Sequence, residues 1–213
     1  MGKLGVLGCL GILVIVALVV GLMGTGIYNN LVGLGQGVDA QWAQVENVYQ
    51  RRADLIPNLV ATVKGAAEFE KSTLEAVTEA RASVGQATID AKNLPNDPAA
   101  FARFEQAQAG LGAALQRLLV VVERYPELKA NQNFLDLQAQ LEGTENRISV
   151  ERMRYNEKAQ EYNTARLRVP AVLIANFMGF KEKAYFKAAP GAERAPEVQF
   201  DFGKPSPSPA APK

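Results

Sequence analysis

LGVLGCLGILVIVALVVGLM, residues Leu4 to Met23, is the stretch on which the reading of the whole chain turns. It holds 20 residues without a charge, and 14 of them are Leu, Ile, Val or Met. At about 1.5 Å per residue, a helix of that length spans about 30 Å, the hydrocarbon thickness of a bilayer. Each such side chain near the middle favours insertion by a few tenths of a kcal/mol, against about 3 kcal/mol opposing for one charge. The stretch therefore predicts a transmembrane helix inside an anchor of residues 1–26. A cleaved signal peptide, with Gly24-Thr25-Gly26 as its site, is the rival reading, but its apolar core would run to only about 7–15 residues. A lipoprotein signal at Gly8-Cys9 fails because that cysteine precedes most of the apolar core.

Ala17, Gly21 and Thr25 recur every four residues, a small-residue face that lets two membrane helices approach closely. It is the candidate for transmembrane self-association. Lys3 precedes the span, and no Lys or Arg occurs between Gly24 and Gln50. The positive-inside bias then leaves the N-terminus in the cytoplasm and the remainder on the outer side of the membrane.

Downstream, residues 27–37 continue a glycine-rich run (24, 26, 33, 35, 37) expected to form a flexible neck. From residue 38 to 187 the apolar period is helical. Val38, Trp42, Val45, Tyr49 and Arg52 begin it, and Ile56, Val60, Val63, Ala67, Glu70, Leu74, Val77, Arg81 and Val84 alternate steps of four and three as if on one helix. Phe101, Phe104, Gln108, Leu111, Leu115, Leu118 and Val122 form a second stripe. Phe134, Leu141, Ile148, Tyr155, Tyr162 and Val169 recur every seven residues on a third helix, expected from about Glu127 to Val169. Asp97-Pro98 reads as an N-cap followed by proline at the first helical position, and Tyr125-Pro126 marks another entry. Pro57 either kinks one helix or divides two; the unbroken stripe favours the kink. Short connections between long helices give an all-α, elongated, antiparallel up-and-down bundle of three to four helices with coiled-coil character. Residues 188–213, rich in Pro, Ser and Ala, are expected to be a disordered tail.

Composition closes several functional classes. After Lys3, 22 Lys and Arg face 22 Asp and Glu, a poor balance for nucleic acid, whose affinity comes largely from excess cations. There is no histidine, and the single cysteine, Cys9, lies in the apolar stretch. Serine and cysteine triads, histidine-bearing metal sites and disulfides are thereby removed. No cofactor and no small-molecule substrate are expected. Glu68, Glu70 and Glu75 are carboxylates at helical spacing, ordinarily a solvated face. Arg52, Asp54, Glu70, Arg81 and Glu145 interrupt or border the apolar rows, and are read as a polar network that fixes helix register or as edge positions reaching water.

Ordered runs then carry a resemblance. They include Tyr28-Asn29-Asn30-Leu31-Val32, Val38-Asp39-Ala40-Gln41-Trp42, Arg51-Arg52-Ala53-Asp54-Leu55-Ile56-Pro57-Asn58-Leu59-Val60 and Thr73-Leu74-Glu75-Ala76-Val77. Tyr125-Pro126-Glu127-Leu128-Lys129-Ala130, Leu141-Glu142-Gly143-Thr144-Glu145-Asn146-Arg147-Ile148, Tyr155-Asn156, Gly179-Phe180 and Tyr185-Phe186 follow. With these the chain resembles the LemA family from Tyr28 to Phe186. The resemblance implies a bacterial, membrane-anchored helical bundle with no established enzymatic activity and no catalytic residues to transfer. Phe69 stands where similar proteins often carry a histidine before glutamate, which argues further against metal chemistry at Glu70. The expected role is a membrane-anchored scaffold or assembly protein that binds the lipid bilayer and either itself, as a homo-oligomer, or another membrane protein. The alternative is a pore-forming or membrane-remodelling unit assembled through the transmembrane helix.

Overall fold

The computed structural model describes the backbone of residues 3–65, 70–89 and 91–187, and the side chains of residues 11–65, 70–87 and 94–187. The side chain of Cys9, Glu68 and Phe69, and the tail 188–213 lie outside the described residues. Six α-helices follow in order: α1 (Lys3–Lys64), α2 (Lys71–Ile89), α3 (Pro98–Val122), α4 (Pro126–Lys129), α5 (Gln132–Leu167) and α6 (Ala171–Met178). A 3-10 turn, Ala91–Asn96, joins α2 to α3, and no strand occurs among the described residues.

Helix α1 is 62 residues long, about 93 Å at the ordinary rise. Its apolar N-terminal part is uncovered by the rest of the chain, with Ile12 to Met23 exposed as a row of aliphatic side chains. That exposure separates it from the core helix of a soluble protein, which would be buried. Its C-terminal half lies antiparallel to α5: Gln41 reaches Glu151, whereas Arg51 reaches Gln140. Helices α2 and α3 form a second antiparallel pair laid against this one, with Glu70 meeting Arg124 at one end.

The core has two parts. The part farther from the apolar stretch joins Leu55, Ile56, Leu59 and Val63 of α1 to Val77 and Val84 of α2, Leu111, Leu115 and Leu118 of α3, and Phe134 and Leu141 of α5. The nearer part joins Val38, Trp42, Val45 and Tyr49 of α1 to Phe101 and Phe104 of α3 and Ile148, Tyr155 and Tyr162 of α5. Among the described side chains no α2 residue enters the nearer core, and Phe186, from the extended segment after α6, packs there.

Local chemistry sets the ends. The Asp97 carboxylate accepts from the Ala99 and Ala100 N–H groups, with Pro98 at the first position of α3. Asn131 Oδ1 accepts from Phe134 N–H at 3.2 Å, which starts α5 five residues later than the stripe alone predicts. Gly179, at φ 74°, closes α6 in the left-handed conformation that favours glycine and turns the chain into its extended run.

Two expectations are corrected. Residues 27–37 are helical throughout, because Leu31 and Val38 are buried and Gly35 lies against the Tyr162 ring, where a Cβ would sit 3.6 Å from it. Packing thus holds a glycine-rich segment that propensity alone would leave flexible. The stripe from Ile56 to Val84 belongs to two antiparallel helices, α1 ending at Lys64 just before Gly65. Its phase matches across the reversal because both helices face the same core. Glu70 and Arg81 are exposed, in keeping with the edge positions that are one reading of them.

Candidate functional site

Between the two core parts lies a polar layer centred on Arg52, whose side chain is 3% exposed. Its Nη1 donates to Glu145 Oε2 at 2.9 Å, and its Nη2 donates to the Gln108 carbonyl at 3.3 Å and to the Gln108 side-chain oxygen. The guanidinium also lies 5.2 Å from the Tyr49 ring centroid. Next to it, Arg152 bonds Glu105 at 3.3 Å. These residues line a cavity of about 510 Å³ with Ala109 and Gly112 of α3. Burial raises the Tyr49 hydroxyl above its ordinary range, with Arg152 and Arg52 pulling the other way. These bonds join Arg52 of α1 to Gln108 of α3 and Glu145 of α5. Glu145 is 58% exposed, so the pair as a whole is only half desolvated and its net worth is modest.

Of the five polar residues singled out in the sequence, the structure brings together Arg52 and Glu145. Asp54 is exposed and accepts from Gln50. Glu70 precedes α2 and pairs with Arg124 at 2.9 Å. Arg81 reaches from α2 to α1, where its Nε donates to the Ala53 carbonyl at 3.2 Å. That carbonyl is the one Pro57, four residues on, cannot satisfy. Helix α1 therefore runs through Pro57 without ending.

The more elaborate construction was not foreseen. The segment after Gly179 runs extended along α5 and is clasped by a repeated Tyr-Asn pair, Tyr155-Asn156 and Tyr162-Asn163. Tyr162 Oη donates to the Lys181 carbonyl at 3.0 Å, and Asn163 both donates to the Lys183 carbonyl and accepts from its N–H, each at 2.9 Å. One heptad back, Tyr155 Oη donates to the Ala184 carbonyl at 3.0 Å, and Asn156 exchanges two bonds with Phe186, each at 2.9 Å. Seven helical residues advance about 10.5 Å and three extended residues about 10 Å, so one pattern fits twice. The segment is anchored further by Lys183, which is buried and pairs with Asp39 at 2.7 Å, and by the Phe186 ring, 4.7 Å from that of Phe101. Burial, then the Asp39 charge, raises the Tyr155 hydroxyl well above the usual phenol range, so it stays a donor. The signal was present in sequence as two Tyr-Asn dipeptides seven apart; Asn163, Gln108 and Lys183 were not recognised in it.

At the other end of this segment, α6 lies against α1. Gly21, Gly24, Thr25, Tyr28 and Asn29 form one wall of a groove, and Leu173, Ile174 and Phe177 the other. Ala17, Gly21 and Thr25 are all exposed, and a Cβ at Gly21 would meet nothing within 4 Å. Among the described residues, no group of three or more Asp, Glu, His or Cys could hold a metal.

Comparison with known proteins places these features. A family model described as the LemA family matches residues 41–200. Magnetosome proteins MamQ 1 and MamQ 2 of Paramagnetospirillum magneticum are each 28% identical over 181 residues, covering 78% of this chain and 66% of theirs. Magnetosome protein MamQ of Magnetospirillum gryphiswaldense matches to the same degree. The chain thus spans just under two thirds of the length of these relatives.

Proposed function

The chain belongs to the LemA family, and on that premise we propose that it is a non-catalytic, membrane-anchored scaffold or assembly protein of the bacterial envelope. It acts by associating with itself or with another membrane protein. The observation that carries this reading is the continuity of α1, which runs as one helix from the apolar stretch to the far end of the bundle. A bundle built this way stands as a fixed post on the membrane. The relatives are named magnetosome proteins, and for this chain we carry over only a structural role. In the arrangement we favour, the single span lies in the inner membrane with the bundle on the periplasmic side.

Cross-linking in intact cells, followed by mass spectrometry and sizing of the detergent-solubilised particle, tests the proposal. A specific partner, or a particle larger than one chain, is expected; a strictly monomeric, partner-free particle counts against it. The second reading is a pore or membrane-remodelling unit assembled through Ala17, Gly21 and Thr25. It draws on the space at Gly21, where a Cβ would meet nothing within 4 Å. Liposome leakage or tubulation that is identical for the full chain and its Gly21→Leu variant would sink it.

A further inference from the structure

Helix α6 reads AVLIANFM, with Asn176 its one polar side chain, yet half of its residues are exposed. Leu173 is 69% and Phe177 90% exposed, and Val169, Leu167 and Met178 are exposed beside them. Leu173 and Phe177 lie four residues apart within α6, the spacing that puts side chains on one helix face. Only Ala175 is fully buried. Free aliphatic and aromatic side chains grouped this densely mark a contact surface.

Its position says what covers that surface. The groove beside α6 is walled by Gly21, within the predicted membrane span, and by Tyr28 and Asn29, just beyond it. Asn29 lies about 9 Å along α1 beyond the end of the span at Met23, so the groove brackets the layer, about 5–8 Å deep, where headgroups meet acyl chains. Tyr28 itself, edge-on to Phe180 at 5.6 Å, is a residue type that favours this layer. Arg168 just before α6 and Lys181 just after it are both exposed, placing cations at both ends of the apolar run. Long basic side chains at such sites reach headgroup phosphates while their stems stay in apolar surroundings.

We propose that α6 is a second membrane contact, its Leu173 and Phe177 face buried in the interfacial layer of the same bilayer that α1 crosses. The inference rests on α1 spanning that bilayer. Bundle and membrane would then touch at two places, which fixes the rotation of the bundle about the α1 axis as well as its height.

The test uses the full chain in liposomes of phosphatidylcholine with phosphatidylglycerol, in a Cys9→Ala background. An environment-sensitive fluorophore is attached at Phe177→Cys, at Leu173→Cys or at Val14→Cys. Lipids brominated at a shallow or a deep acyl position serve as quenchers. The Phe177 and Leu173 probes should emit blue-shifted and be quenched most by the shallow bromine, with the Val14 probe quenched most by the deep one. Water-like emission at 173 and 177, with Val14 still quenched, overturns the proposal while leaving the anchor intact. An unquenched Val14 probe instead removes the anchor on which it rests. If quenching at 173 and 177 is lost as protein is concentrated in the bilayer while Val14 stays quenched, a second copy covers the face and the proposal also falls.

Discussion

Arg81 supplies to Ala53 the hydrogen bond that Pro57 withholds. The Ala53 carbonyl would ordinarily accept from the N–H four residues ahead, and proline has none; the Arg81 Nε stands 3.2 Å away from the other helix. A helix defect in α1 has thus become a link to α2. The contact is exposed, so its worth should be about 1 kcal/mol. Arg81→Met should destabilise the full chain in micelles by that amount, read by denaturant titration. In a Pro57→Ala background, where residue 57 can donate, the same substitution should cost almost nothing. Equal costs in both backgrounds would show that the proline is irrelevant to the contact.

The clasp predicts a local loosening. Asn163 is 4% exposed and satisfies both backbone groups of Lys183. Asn163→Ala leaves a buried donor and acceptor without partners, a cost of about 2–4 kcal/mol. Hydrogen exchange should quicken at the Lys183 and Phe186 amides before it changes in the α1–α5 pair. Asn156→Ala, at a half-buried site, should do the same more mildly. Uniform acceleration across the bundle would mean that this segment is not a separate unit.

Arg52 should respond asymmetrically. Arg52→Ala opens a cavity and strands the Gln108 amide, and we expect a loss of about 2–4 kcal/mol in the melting free energy. Arg52→Met, close in volume and apolar, should recover most of that, since the charge pair contributes little net. Glu145→Gln, at the exposed end, should cost less than about 1 kcal/mol.

Gly33 and Gly37 stand in α1 with open space where a Cβ would be. If the helix is continuous there, Gly33→Ala and Gly37→Ala should each stabilise it by about 0.5–1 kcal/mol through reduced backbone entropy. Circular dichroism should show no loss of helix. A flexible neck would gain nothing from either substitution.

Asp97 gives the acid limb of the stability profile. The Ala100 N–H, with a smaller contribution from Ala99, holds its carboxyl below its ordinary value of 3.8. A carboxyl depressed by folding adds stability above its unfolded pKa, and that stability is lost as pH falls through the folded one. Asp97→Asn keeps an accepting oxygen for the cap and removes the titration. Melting temperatures of the two proteins should therefore converge as pH falls below 3.8.

Much of this architecture is legible in the residues. A charge-free span of 20 residues and three apolar stripes suffice for an all-α chain with one membrane-crossing helix, because burial period and bilayer thickness are geometric constraints. The Asp97-Pro98 entry follows from cap chemistry for the same reason. What escaped was tertiary. The glycines of 27–37 announce flexibility, and only the Tyr162 ring and the burial of Leu31 show why the helix persists. Arg81 in an apolar row left a polar network or an edge position open, whereas its contact depends on a proline in another helix. Asn163 is an unremarkable polar residue until an extended segment, distant by 20 positions, lies beside it.

An unbroken α1 also behaves as a lever. From Gly24 to Lys64 it extends about 60 Å beyond the hydrocarbon span, so a tilt of about 10° would sweep the far tip sideways by about 10 Å. Helices lean by such amounts when bilayer thickness and hydrophobic length disagree. Small changes in lipid composition would then be magnified into displacements large enough to bring neighbouring tips together or to part them.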